Sequence, residues 1–153
     1  MILTHAFTNL RSEHIVRFYI LRRFMSNDYI LTEDLKFASY KRRSDDVIVL
    51  HLQDDLMIDV EKAELMNAAL TKVTGGIPRK ILVLNGKYTS ADSEARIMLS
   101  SHQKKLQVER VAVTIHSLSQ KILANFFMKV NKPPFPIRFF ANAQEAEKWL
   151  LEN

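Results

Sequence analysis

The residues best placed to do chemistry in this chain are Asn85, Tyr88 and His116, accompanied by a run of hydroxyls at Thr89, Ser90 and Ser93. Asn85 and Tyr88 follow the apolar run KILVL at 80–84, and His116 follows VAVTI at 111–115. In open α/β sheets ligands sit beyond the carboxyl ends of parallel strands, so these three residues outline a candidate crevice. His116 could orient a substrate there, but a lone histidine at a strand end is more often structural or solvated, and no catalytic partner shares a recognisable spacing with it. Gly86 is the only glycine in those loops, which leaves neither a P-loop nor a G-x-G-x-x-G cradle, and no G-x-S-x-G elbow occurs. His5, His14, His51, His102 and His116 show no H-x-x-x-H arrangement. The acidic pairs Asp45, Asp46 and Asp54, Asp55 read as turn residues outside any calcium-loop frame. The expectation is a chain with no catalytic residue, no metal site and no cofactor.

Such residues need elements to position them. With 153 residues, 47% hydrophobic and 25% charged, the chain is long and apolar enough to bury one domain-sized core. It has no cysteine, so disulfides and thiolate zinc sites are excluded, and a reducing, cytoplasmic setting is expected. No apolar stretch approaches the ~18 residues of a membrane helix, so stable membrane insertion is not expected. The formal charge is +5, of which +3 lies within residues 1–24; the remaining +2 is spread over alternating signs. A phosphate-tracking surface would cluster its cations on one face. Mixed charge of this kind serves solubility, and nucleic acid is not an expected partner.

Residues 1–24, MILTHAFTNLRSEHIVRFYILRRF, fit neither period: Arg17, Arg22 and Arg23 spoil a helical stripe, and Arg22 interrupts the strand face of Val16, Phe18, Ile20 and Phe24. They read as an extension outside the core or a start-site artefact, with one domain over 25–153. From residue 35 the pattern is regular. LKFASYKRR and DVIVLHL, joined by a polar turn, predict a β-hairpin. DVEKAELMNAALTKVTGGIP predicts a helix capped by Asp59 and stopped at Gly75, Gly76 and Pro78. KILVL and ERVAVTI are strands buried on both faces, and SADSEARIMLSSHQKK between them places Ala91, Ala95, Met98 and His102 on one helical face. SLSQKILANFFMKV opens with a capping box, Ser117 with Gln120, and its row of Leu118, Ile122 and Phe126 is expected to face inward. NKPPFP then ends that helix, because each proline lacks an N–H and disfavours helix in the residue before it. IRFF is a last strand, and Asn142 with Glu145 opens a final helix that sends Ala143, Ala146, Trp149 and Leu150 to the core. The string is ββαβαβαβα, an α/β fold with a mainly parallel sheet, an N-terminal β-hairpin at its edge and four covering helices.

This order, together with SADSEAR and the segment VERVAVTIHSLSQKILANFFMKVNKPPFPIRFFANAQEAEKWL, resembles the STAS superfamily of anti-sigma-factor antagonists over roughly residues 35–152, and is most similar to small stand-alone bacterial members. The resemblance implies a non-enzymatic regulatory domain in the bacterial cytoplasm that works through a protein partner, a second copy of the chain being one candidate. In the antagonist branch a serine at the start of the helix after the third strand is phosphorylated by a partner kinase. The matching segment here is LVLNGKYTSADSEAR, which makes Ser90, Ser93 and Thr89 the phosphoacceptor candidates. The branch's Asp-Ser-Ser-Gly turn is replaced by Asn-Gly-Lys-Tyr-Thr-Ser, and Asp92 and Glu94 would repel a phosphate, which weighs against the switch; a helix cap is the simpler role for Ser90.

The alternative is a module for a small apolar or anionic ligand, lipid-like in kind, using the crevice of Asn85, Tyr88 and His116. Phe126, Phe127, Phe135, Phe139 and Phe140 could line an apolar pocket, although core packing explains most of them. Phe135, held between prolines, is expected at the surface as an interaction or dimer contact.

Overall fold

The computed structural model describes residues 29–130 and 132–152. The boundary expected at residue 24, and residues 1–24 themselves, lie outside these. Among the described residues six strands form one sheet: β1 (Tyr29–Asp34), β2 (Ala38–Arg43), β3 (Ile48–Leu52), β5 (Lys80–Leu84), β7 (Arg110–Thr114) and β8 (Ile137–Phe140), side by side in that order. The first three run antiparallel and the rest parallel. The hairpin predicted at 35–52 is β2 and β3, and β1 adds a strand outside it that the sequence pattern does not announce. A separate two-residue parallel pair joins β4 (Met57–Ile58) to β6 (Ser90–Ala91).

Among the described residues four helices cover the sheet: α1 (Val60–Thr74), α2 (Ser93–Lys105), α3 (Leu118–Val130) and α4 (Ala143–Leu151). The parallel strands step always in one direction across the sheet, and right-handed crossovers taken in one direction put every connecting helix on the same face. One face accordingly packs Ile48, Leu50, Ile81, Val83 and Val111 against Ala63, Met66, Leu70, Val73 and Ala95 of α1 and α2. α4, the last element among the described residues, lies on the opposite face, where Ala146 and Leu150 seat against Val49, Leu82 and Ala112. Strands β5 and β7 are apolar on both faces because both faces are covered. Lys41 and His51, on β2 and β3, project from the face of α4 beyond the reach of that short helix, which is why polar side chains are tolerated there.

The local signals act as their chemistry dictates. Asp59 accepts a hydrogen bond from the Lys62 N–H at 2.9 Å, and Asn142 does the same for Glu145 at 2.9 Å, each satisfying an orphan donor of a first turn. Gly75 ends α1 at φ 62°, a left-handed conformation that costs glycine little. Phe135 departs from expectation. It is 8% exposed and part of the core beneath α1 and α2, because the prolines deliver the chain to β8 with that ring turned inward.

Candidate functional site

The loop between β5 and β6 is clamped, not free. The Lys87 N–H donates to Asp54 Oδ1 at 2.8 Å, the Thr89 hydroxyl to the Gln53 carbonyl at 2.6 Å, and the Ser90 N–H to the Leu56 carbonyl at 2.9 Å. The two backbones run so close at Gly86 that a Cβ there would lie 2.2 Å from the Gln53 carbonyl oxygen, so glycine is required by contact with Gln53. From the other side Gln120, buried in the first turn of α3, ties the loop down. Its Nε2 donates to the Gly86 carbonyl at 2.8 Å and the Thr89 carbonyl at 3.1 Å, while its Oε1 accepts from the His116 N–H at 2.8 Å. The predicted capping box is thus half realised: the Gln120 N–H donates to Ser117 Oγ at 3.2 Å, but the amide reaches back to His116 and across to another loop.

That clasp fixes the rotation of α3, and it reverses an expectation. Gln120 and Ala124 are the buried residues of the helix. Leu118 (73% exposed), Ile122 (62%) and Phe126 (54%), expected to face inward, form a row on the outside. The helix carries two apolar rows, and periodicity alone could not choose between them. One buried polar side chain with three hydrogen bonds decides, since its desolvation is compensated only when it faces the loop.

Inward of α3 lies a cavity of about 200 Å³ that opens to solvent. Its floor is the sheet, with Val83, Val111, Val113 and Ile137; its roof is Leu99 of α2 with Leu123, Ala124 and Phe127 of α3. Asn85, Thr89, Ser90, Arg96, Ser100 and Gln103 bring polar groups to the same cavity. Because Gln120 holds α3 at a fixed standoff, the apolar lining is left without the close van der Waals partners an ordinary core supplies.

Of the three crevice candidates only Asn85 reaches this cavity. Tyr88 is exposed at φ 58° on the loop tip, and His116 is exposed, joined to the cavity region only through its backbone N–H. Among the five phenylalanines considered, Phe127 and Phe139 line the cavity; Phe126 faces out, and Phe140 stacks at 5.8 Å with Trp149 on the opposite face. The phosphoacceptor candidates separate as well. Thr89 is 3% exposed and hydrogen-bonded, Ser90 lies in β6 with its hydroxyl against Met57 Sδ, and Ser93 is exposed at the first position of α2. Ser90 is not the cap of that helix: Asp92 is, accepting from the Ala95 N–H at 2.7 Å. Arg96, which no sequence signal singled out, lines the cavity while its guanidinium donates to the Ala91 carbonyl. No group of three or more potential metal ligands occurs among the described residues, and none of their helices is long and apolar enough to cross a membrane.

A mostly parallel sheet fed by an antiparallel hairpin, with three crossover helices on one face and a closing helix on the other, defines an α/β domain of the SpoIIAA-like, or STAS, fold. A solved structure of an uncharacterised protein of the DUF3478 family with a SpoIIAA-like fold, from Shewanella loihica PV-4, is similar to 78% of this chain and 98% of its own, at a TM-score of 0.55 and 18% identity. The chain itself belongs to the DUF7793 family, a domain of unknown function whose model matches residues 40–153. No curated protein matches the chain.

Proposed function

We propose that this chain is a regulatory domain of the anti-sigma-factor-antagonist kind, without catalysis of its own, that docks on a partner protein through the outer face of α3. The observation that carries the reading is the solvent-facing row of Leu118, Ile122 and Phe126, spaced four residues apart along that one helix. Contiguous apolar surface of this kind on a soluble domain marks an interaction site, and a row at helical spacing suits a partner that offers a groove. The helix carries Lys121 and Lys129 and no acidic residue. Pairing it with a second copy would set lysine against lysine, so a groove with an acidic rim on a different protein is the better complement. Docking through α3 also leaves residues 89–93 out of the contact: a phosphate on Ser93 would face Asp92 and Glu94, and Thr89 and Ser90 are held in the clamped loop. The reading places the domain in a bacterial cytoplasm, in keeping with its lack of cysteine.

Ile122→Glu should leave folding stability within about 0.5 kcal/mol of the parent in urea denaturation, because the side chain is already in water. The functional test is a photo-crosslinking amino acid at position 122 in cells that make the protein. One adduct of defined mass is expected, lost on Lys121→Glu with Lys129→Glu and absent when the crosslinker stands at Ala68 on α1. An adduct only with a second copy of the chain, binding only to anionic vesicles, or no adduct would each overturn the reading.

A further inference from the structure

The cavity beneath α3 is independent of that outer face, and its chemistry is different. We propose that it is a binding site for a small amphiphile with an unbranched apolar tail and an anionic head, the tail lying between α3 and the sheet and the head meeting Arg96 and Asn85.

Size sets the tail. An engineered apolar cavity of about 150 Å³ takes up benzene, so a space of about 200 Å³ holds on the order of eight carbon atoms by the same proportion. The lining sets the class: Val83, Val111, Val113, Ile137, Leu123 and Phe127 offer apolar contact to a tail, beside the polar groups of Asn85, Thr89, Ser90, Arg96, Ser100 and Gln103. Specificity in mostly apolar pockets comes from a small number of placed polar groups. Among the described residues that line the cavity Arg96 supplies the only cation, and its planar fork suits a carboxylate even with one N–H committed to the Ala91 carbonyl. The backbone N–H of Asn85 donates to Thr114 Oγ1 at 3.0 Å, while its side-chain amide has no hydrogen-bond partner among the described residues. The cavity persists because the Gln120 clasp sets the height of α3. A ligand therefore replaces missing packing and has no native contact to displace.

Octanoate and octanol are the probes, titrated separately into the purified full chain and followed by calorimetry and by NMR shifts at Leu99, Leu123 and Ile137. Octanoate should bind saturably at one site, with octanol about tenfold weaker because it forgoes the charged pair. Arg96→Gln should lower octanoate to the level of octanol and leave octanol unchanged. Ala124→Leu, which puts a side chain into the cavity, should weaken both probes at least tenfold while keeping the parent's circular dichroism. Should that variant fail to fold, Leu99→Phe fills the same space from α2. Saturable binding of neither probe up to millimolar concentration, or unchanged binding in a folded cavity-filled variant, overturns the site. Equal loss of both probes on Arg96→Gln overturns the anionic head.

Discussion

Replacing Arg43 by methionine is expected to cost about 3–5 kcal/mol of folding stability, the range seen when one partner of a buried ion pair is removed. Arg43 leaves β2 at the hairpin turn and is 7% exposed. Its Nε and Nη2 meet the two carboxylate oxygens of Asp45 at 3.0 and 2.6 Å, and its Nη1 meets Glu147 Oε1 of α4 at 2.5 Å. Burial opposes the guanidinium charge, but the hydrogen bonds and charges of Asp45 and Glu147 outweigh it, so the arginine is held above its ordinary pKa. One side chain thus joins the hairpin to the final helix across 104 positions of sequence. Without it Glu147, 2% exposed, is a buried anion with no cation against it. The double variant Arg43→Met, Glu147→Leu should recover the part of the loss that comes from the stranded Glu147, while the part from Asp45 remains. Urea denaturation of the single and double variants measures this, and a double variant whose loss is simply the sum of the singles would refute it.

Gln120→Leu is expected to cost roughly 2–4 kcal/mol, since it strands the Gly86 and Thr89 carbonyls and the His116 N–H, at about 1–3 kcal/mol for each buried group that finds no new partner. The lower end applies if the Gly86 carbonyl relies on its 3.4 Å bond from the Thr89 N–H. The damage should also be local. Amide exchange should quicken along 118–130 and in the 86–91 loop while β3, β5 and α4 keep their protection, because the clasp, and not deep packing, positions α3. Uniform loss of protection, or a stability change below about 1 kcal/mol, would show that the helix is held by other means.

These two residues mark where the sequence stops being legible. The order of strands and helices was readable because each element carries its own period and punctuation: the doubly apolar KILVL, the caps at Asp59 and Asn142, the prolines after α3. Position within an element was readable where one face alone is apolar, as for Ala146 and Leu150. It was not readable in α3, whose two apolar rows are equivalent until the partners of Gln120 on a distant loop are known. Nothing in the run YKRR marks Arg43 as buried, because its partner Glu147 lies on a helix whose exposed positions also carry charge. Phe135 looked exposed because prolines signal a loop, and a loop signal does not report which way a ring between them turns. The cavity follows from the standoff of one helix, a distance that no local pattern encodes. Asn85 could be found from its place after a parallel strand; Arg96 could not.

The rotation of α3, inner face to the cavity and outer face to solvent, can be tested without knowing any ligand. The chain has no cysteine, so single-cysteine variants at Ile122 and Ala124 report one site each to a bulky maleimide. Position 122 should react about as fast as the unfolded chain, and position 124 at least about tenfold more slowly, since reaction there waits on local opening. Equal rates, or faster reaction at 124, would contradict the placement of the helix and with it both the partner face and the ligand cavity.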